Sequence, residues 1–310
     1  MHHPAPPRPT ATDWLSVVAL GIVWGATFLV TELALAGVTP AWLAAGRVVT
    51  AAAVTAAIWR LAGSGRLFTT AARSPGGLAI VGAFSTAVPF LLLAWAQTHV
   101  TSAFAGVSMA AIALIVLPLS HLLLRDEALR LDRVAGLLVG FAGVALLLGG
   151  GALRATGDPL EPVGRLACIG AACSYAVASV TIRRLPPVDP LGLAATSLLI
   201  GSAVVVPLAL LLEGPPALPD AVTLGWIVLL GVVPTAGANM LRVLVVRRAG
   251  PVFMSLTNYQ VPVWSVIFGA VILGEPVRPG LFAATALILG GIALSQRRAL
   301  AAIFARRRAG

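Results

Sequence analysis

Leu273-Gly274-Glu275-Pro276-Val277-Arg278 echoes Arg125-Asp126-Glu127-Ala128-Leu129-Arg130 from the first half of the chain. Each is a short polar break centred on glutamate between long apolar runs, and the two glutamates stand 148 residues apart. Similar offsets recur on both sides. Pro40 matches Pro190 at 150, Val88-Pro89 matches Val233-Pro234 at 145, and Gly143-Val144-Ala145-Leu146 matches Gly291-Ile292-Ala293-Leu294 at 148. Each match is weak alone, but the shared order and near-constant spacing mark an internal duplication.

The runs between such breaks are long. A helix needs about 20 apolar residues to cross the hydrocarbon of a bilayer, and the breaks leave ten candidates. They run Trp14 to Ala36, Ala41 to Leu61, Gly77 to Gln97, Ser102 to Leu124 and Asp132 to Gly150 in the first copy. In the second they run Val163 to Ile182, Leu191 to Leu212, Ala221 to Val246, Pro251 to Leu273 and Pro279 to Ser295. The second and sixth, rich in alanine, are the least apolar. The expected fold is an all-α integral membrane protein of ten transmembrane helices in two five-helix repeats. An odd number of crossings per copy turns the second copy upside down relative to the first.

Composition agrees. Of 310 residues 59% are hydrophobic, only 10% are charged, and mean hydropathy is +0.98, whereas soluble domains carry roughly 25% charge. This excludes a soluble enzyme, a disordered chain and a coiled coil. The formal net charge is +10 and the pI about 11.5, and all 21 basic residues are arginine. Their placement in breaks between apolar runs points to the anionic inner face of a bilayer, not to nucleic acid. With ten spans and the N-terminus inside, 16 of the 21 arginines fall on the inner side; Arg154, Arg165 and Arg278 lie outside, and Arg47 and Arg242 within spans. Dropping a weak span would scatter them. Both termini are therefore expected on the cytoplasmic side of the cell inner (plasma) membrane.

The organisation that follows is a polar leader over 1–13, a first repeat over 14–150, an external linker over 151–162, a second repeat over 163–296 and a basic tail over 297–310. The first apolar run is too long for a cleaved signal segment, so the leader is expected to precede a retained helix. Cys168 and Cys173 are five residues apart in one span, roughly 140° around a helix at about 100° per residue, and cannot bridge each other. No histidine pair stands at ligand spacing, and no phosphate-binding G-x-x-x-x-G-K-[ST] is present. Neither metal nor cofactor is expected.

Inverted repeats are the architecture of secondary transporters, in which two halves of opposite hand exchange roles and open a midplane site to either side. The rival class is an intramembrane enzyme acting on a lipid-soluble or small polar substrate. It requires an acid/base pair, a metal cluster or an activated nucleophile, and no such set shares a span.

Trp24-Gly25-Ala26-Thr27-Phe28, Pro40 followed seven residues later by Arg47, and the turns at Glu127 and Glu275 together make the chain similar to the EamA-type family of the drug/metabolite transporter superfamily. The resemblance covers about Trp14 to Ser295. It implies a ten-helix carrier with helices 1 to 4 and 6 to 9 around a central cavity and helices 5 and 10 outside. It also implies small metabolites, amino acids and related compounds among them, as cargo, often moved outward. Two departures stand out. The family proline 13 residues before the turn glutamate is present as Pro262, but its first-half counterpart is Leu114, with Pro118 one turn later. Glu32 occupies a position that is often basic.

A charge at the bilayer centre costs several kcal/mol, about +2.5 to +3.5 for Arg or Asp on insertion scales. Arg47 enters the second span about six residues from its outer end, roughly 9 Å deep at 1.5 Å per residue, and Glu32 lies at similar depth in the first. They are expected to face each other or to share an outer vestibule, either as a structural ion pair or as substrate and proton handling, with Glu32 as the coupling residue and protons as the candidate ion. Arg242 is close enough to the inner surface to snorkel, and His99 and His121 fall at span ends.

In the ninth span Ser255, Asn258, Tyr259 and Pro262 follow helical spacing and would share a face, with Gln260 beside them and Trp264 half a turn on. That face either lines the substrate site or supplies interhelical hydrogen bonds. Trp24, Thr27 and Thr31 form a stripe on the first span, and Tyr175 occupies the repeat position of Gly25. Gln97 and Asn239 complete the polar set. Pro89, Pro234 and Pro262 are candidate hinges or packing kinks. Glu127 and Glu275 are expected to be structural, favouring the helix N-termini that follow them. The expected partners are a small-molecule substrate and the lipid bilayer, with the protein a monomer or homodimer.

Overall fold

The ten runs form ten helical rods in the computed structural model, which describes residues 10–62, 74–124, 131–148, 156–186, 188–276, 278–297 and 300–301. The leader residues 1–9, the Arg125 to Arg130 turn with Glu127, Arg154, and the tail arginines Arg306 to Arg308 lie outside these residues.

Local chemistry sets the starts. α1 (Ala11–Leu35) opens with a capping box in which Thr10 and Asp13 satisfy each other's backbone N–H. Proline stands at the first position of α2 (Pro40–Leu61), α3 (Pro75–Gln97), α7 (Pro190–Glu213) and α10 (Pro279–Ser295). There its missing N–H costs nothing and its fixed φ suits a helix. Thr101 caps α4 (Ser102–Leu124), and Asp220 caps α8 (Ala221–Ala249). α5 (Leu131–Leu148), α6 (Glu161–Arg184) and α9 (Pro251–Ile272) complete the set. Among the described residues seven helices are long and apolar enough to cross a membrane unaided. α2 and α6, the least apolar of these, are unbroken helices of 22 and 24 residues.

The duplication is visible in the interruptions. α3 carries a π-helical turn at Ala83–Ala87, and α8 carries one at Gly231–Gly237. α4 breaks after Ser108 and α9 after Met254. Packing repeats the pattern. α1 lies on α9 and α8, as α6 lies on α4 and α3; α2 lies on the α8 π-turn as α7 lies on that of α3. The pairs α2/α7, α4/α9 and α5/α10 join equivalent helices across the two copies. Each of these contacts thus has its counterpart under exchange of halves.

Glycine sets the closest approaches. Lipid gives helices no hydrophobic reason to associate, so small residues that admit close backbone contact carry the packing. α5 and α10 pack chiefly on each other, with Gly136 and Gly140 against Gly291; a Cβ on Gly291 would stand 2.5 Å from the Gly136 carbonyl oxygen. Both groups are backbone and cannot turn aside. Gly291→Ala is expected to destabilise the protein by about 1–3 kcal/mol, read as a lower midpoint of thermal unfolding in detergent. Gly290→Ala, with open space at its Cβ, is the matched control and should leave the midpoint unchanged.

Take the end of the bundle at which α1 begins as the near end. At the far end two carboxylates tie the copies together. Glu213, the last residue of α7, accepts the Ala41 N–H at 3.0 Å and the Trp42 N–H at 3.2 Å at the start of α2. Glu275 accepts the Ser102 N–H at 2.6 Å and the Ala103 N–H at 3.0 Å at the start of α4. Gly274, at φ +66°, turns the chain back so that the Glu275 N–H reaches the Gly269 carbonyl at 3.0 Å. The structural expectation for Glu275 therefore needs correcting in its target. It caps α4 of the other copy, whereas α10, the next helix in sequence, receives no side-chain cap from it.

Candidate functional site

Pro234 lies inside the π-turn of α8. Having no N–H, it cannot bond the Leu230 carbonyl four residues back, and the Thr235 hydroxyl donates to that carbonyl instead at 2.7 Å. The Ala238 N–H slips one residue and bonds Val233. The Pro234 carbonyl accepts the Trp24 indole N–H at 3.0 Å, and Asn239 donates to the Thr235 carbonyl at 2.6 Å. π-turns of this kind recur at functional sites.

Arg47 of α2 reaches into this group. Its Nε donates to the Thr235 hydroxyl at 2.9 Å, and its guanidinium carbon stands 4.0 Å above the centre of the Phe90 ring. Phe90 directly follows Pro89, just past the π-turn of α3. Tyr175 of α6 meets Phe90 edge-on at 6.5 Å, and its phenol lies within electrostatic reach of Arg47. One half-buried cation is thus held by Thr235 of the α8 π-turn and by Phe90 just past that of α3, with Tyr175 beside it and Trp24 and Asn239 bonded to the carbonyls of Pro234 and Thr235. Of the expected site residues, Trp24, Arg47, Tyr175 and Asn239 come together, with Pro89 and Pro234 at their backs. Phe90 and Thr235, which complete the cluster, carry no sequence signal beyond their place beside the two prolines.

Glu32 is elsewhere. It faces Gln97 and the carboxylate of Glu275, and its Oε2 is buried without a hydrogen-bond partner. Gln97, itself buried, donates to the Phe28 carbonyl at 2.9 Å. The expected Glu32–Arg47 pair does not form, because Thr235 and Phe90 draw the guanidinium toward α8 and α3 while Glu32 turns toward the α9–α10 loop. Thr27 and Thr31 spend their hydroxyls on carbonyls of their own helix, at 3.1 and 2.8 Å.

The ninth-span stripe is divided. The turn at Ser255 and Leu256 interrupts the helical register on which the shared face depended. Ser255 lies 3.3 Å from Gln296, the residue that ends α10, Gln260 reaches the Val17 carbonyl of α1 at 3.4 Å, and Asn258 is exposed. Tyr259 packs against the core between α4, α6 and α10, its hydroxyl buried without a partner. Trp264 stacks on Phe268 and abuts Gly25. Pro262 sits within unbroken helix, six residues or more past the break.

Two features at the far end were not apparent as such in the sequence. Arg165, expected as an outer-side charge, lies one turn inside α6 and pairs with Glu161 at 2.6 Å, both side chains 3% exposed. Asp158 meets His99 at 3.0 Å. That hydrogen bond, with the Leu160 N–H, holds the Asp158 carboxyl below its ordinary range. Cys168 is buried and Cys173 exposed, both free. Among the described residues no group of His, Cys, Asp and Glu could hold a metal. An apolar crevice of about 330 Å³ opens beside the α8 π-turn, lined by Leu20 and Val23 of α1 and Val232, Val233 and Leu241 of α8.

The model of the EamA-like transporter family matches residues 14–149 and, separately, 162–296. The chain belongs to that family. Each match spans one five-helix copy, so the two-repeat architecture is that of EamA-like transporters, and the protein is a multi-pass membrane protein. Among solved structures, one described only as "Crystal structure of protein" is 26% identical, with 94% of this chain and 98% of that one covered and a TM-score of 0.65. No curated protein matches the chain.

Proposed function

We propose that this EamA-like protein is a secondary carrier that exports small metabolites such as amino acids or related compounds by alternating access, with no catalytic step. The observation that carries the reading is the convergence at Arg47 of Thr235 from the α8 π-turn and Phe90 from just past the equivalent π-turn of α3, one from each copy. Halves built alike but inverted can exchange inward-open and outward-open shapes, and π-turns beside Pro89 and Pro234 give each half a local place to bend. The partners in this reading are a small-molecule substrate and the bilayer, with the chain acting as a monomer or homodimer in the inner membrane and both termini cytoplasmic. Counterflow in proteoliposomes tests it. Saturable exchange of an unmodified metabolite supports a carrier, while chemical conversion of the substrate contradicts one.

Glu32 is the proposed proton site. It is the acid within a span that has a carboxylate oxygen buried without a hydrogen-bond partner while facing a second carboxylate, that of Glu275. Glu32→Gln is expected to abolish the response of exchange to an imposed pH gradient while substrate binding persists. Proton coupling that survives this substitution rejects the assignment.

A further inference from the structure

The Arg47 guanidinium is only partly used. Nε is committed to Thr235 and one face to Phe90, while among the described residues no acceptor reaches Nη1 or Nη2 and no carboxylate pairs with Arg47. Glu32, the acid at comparable depth in the sequence, faces Gln97 and Glu275. A cation inside a transmembrane bundle without a counter-ion is costly, and such residues mark substrate pathways.

The unused edge has a definite chemistry. Two parallel N–H groups in one plane match the two oxygens of a carboxylate, giving a bidentate charge-assisted pair. Pinning Nε and the ring face fixes the fork in advance, so little rotamer freedom is left to lose on binding. The polar groups against it, Thr235 and Tyr175, are neutral, as are Asn239 and the Trp24 indole on the same π-turn, and a single positive charge suits a monoanion better than a doubly charged phosphate. Phe90 and Tyr175, packed edge-on beside the guanidinium, supply apolar aromatic surface for what is attached to the acid. We propose that the free edge of Arg47 anchors a carboxylate of the transported molecule. This rests on the carrier reading and names the substrate class of that site: small monocarboxylates with an apolar or aromatic body. Because Thr235 belongs to one π-turn and Phe90 adjoins the other, a ligand on Arg47 pulls on both copies at once.

The test is binding to the purified full-length chain in nanodiscs, followed by thermal shift and tryptophan fluorescence. The probes are phenylacetate, indole-3-acetate and 4-methylpentanoate, each against its own carboxamide. At least one carboxylate should bind saturably and at least tenfold more tightly than its amide. Arg47→Gln should remove that preference, and Arg47→Lys, which keeps the charge without the fork, should retain only part of it. Carboxylates that fail to bind, amides that bind equally well, or a preference unchanged in Arg47→Gln would each overturn the proposal. The comparison of acid with amide uses the parent chain, so it stands even where a variant fails to fold. Counterflow of the same probes is scored separately. A carboxylate preference in binding without saturable exchange sinks the carrier reading and keeps the anchor; exchange indifferent to the acid group sinks the anchor alone.

Discussion

Arg165→Met is expected to destabilise the protein by about 3–5 kcal/mol, the cost of breaking a buried ion pair by removing one partner. Arg165 and Glu161 are both almost fully buried, with their charged ends 2.6 Å apart, and Phe104 lies beneath the guanidinium at 5.3 Å. Without the arginine, Glu161 keeps the Thr156 hydroxyl at 2.8 Å and the Thr156 N–H at 3.2 Å, neither of which neutralises its charge. The double variant Glu161→Gln/Arg165→Met should recover more than half of the loss, since two neutral groups leave no uncompensated charge. Chemical unfolding in mixed micelles measures all three. A single variant as stable as the parent would mean that the pair is hydrated and that α6 does not begin as described.

Glu275→Ala should cost about 2–4 kcal/mol. It removes two charge-assisted hydrogen bonds of about 1.5–3 kcal/mol each, reduced because the carboxylate is partly exposed, and leaves the N–H groups of buried Ser102 and Ala103 without acceptors. Hydrogen exchange gives the location as well as the size. Exchange should quicken at Ser102 and Ala103, at the start of α4, and stay unchanged over the first turn of α10. The reverse pattern would return Glu275 to the role its position in sequence suggests, capping the helix that follows it.

These two residues show where sequence reading ends. The ten helices were legible because each is a long apolar run bounded by proline, arginine or acid, and the duplication was legible because Pro40, the Val-Pro pairs and the glutamate turns keep nearly constant offsets. Glu275 was recognisable as structural, but its target was not, since α4 lies 173 residues earlier in the chain than the cap it receives. Arg165 counted as an outer charge because nothing local distinguishes an arginine one turn inside a helix from one just before it. Arg47 and Glu32 stood out by the cost of charge in lipid, yet that cost names no partner. Thr235 and Phe90 divert Arg47 from Glu32, and both acquire that role from π-turns whose slipped hydrogen bonds no hydrophobic period reports. The Ser255 stripe failed for a related reason: a turn at Ser255 and Leu256 resets the phase of the helix it was read on.

Two related five-helix copies that cross the membrane in opposite directions put their equivalent glutamate turns on opposite sides of it. Topology reporters fused after Arg130 and after Arg278 measure this. The reporter at Arg130 should lie in the cytoplasm and the reporter at Arg278 on the opposite side. Both reporters on one side of the membrane would rule out the inverted arrangement.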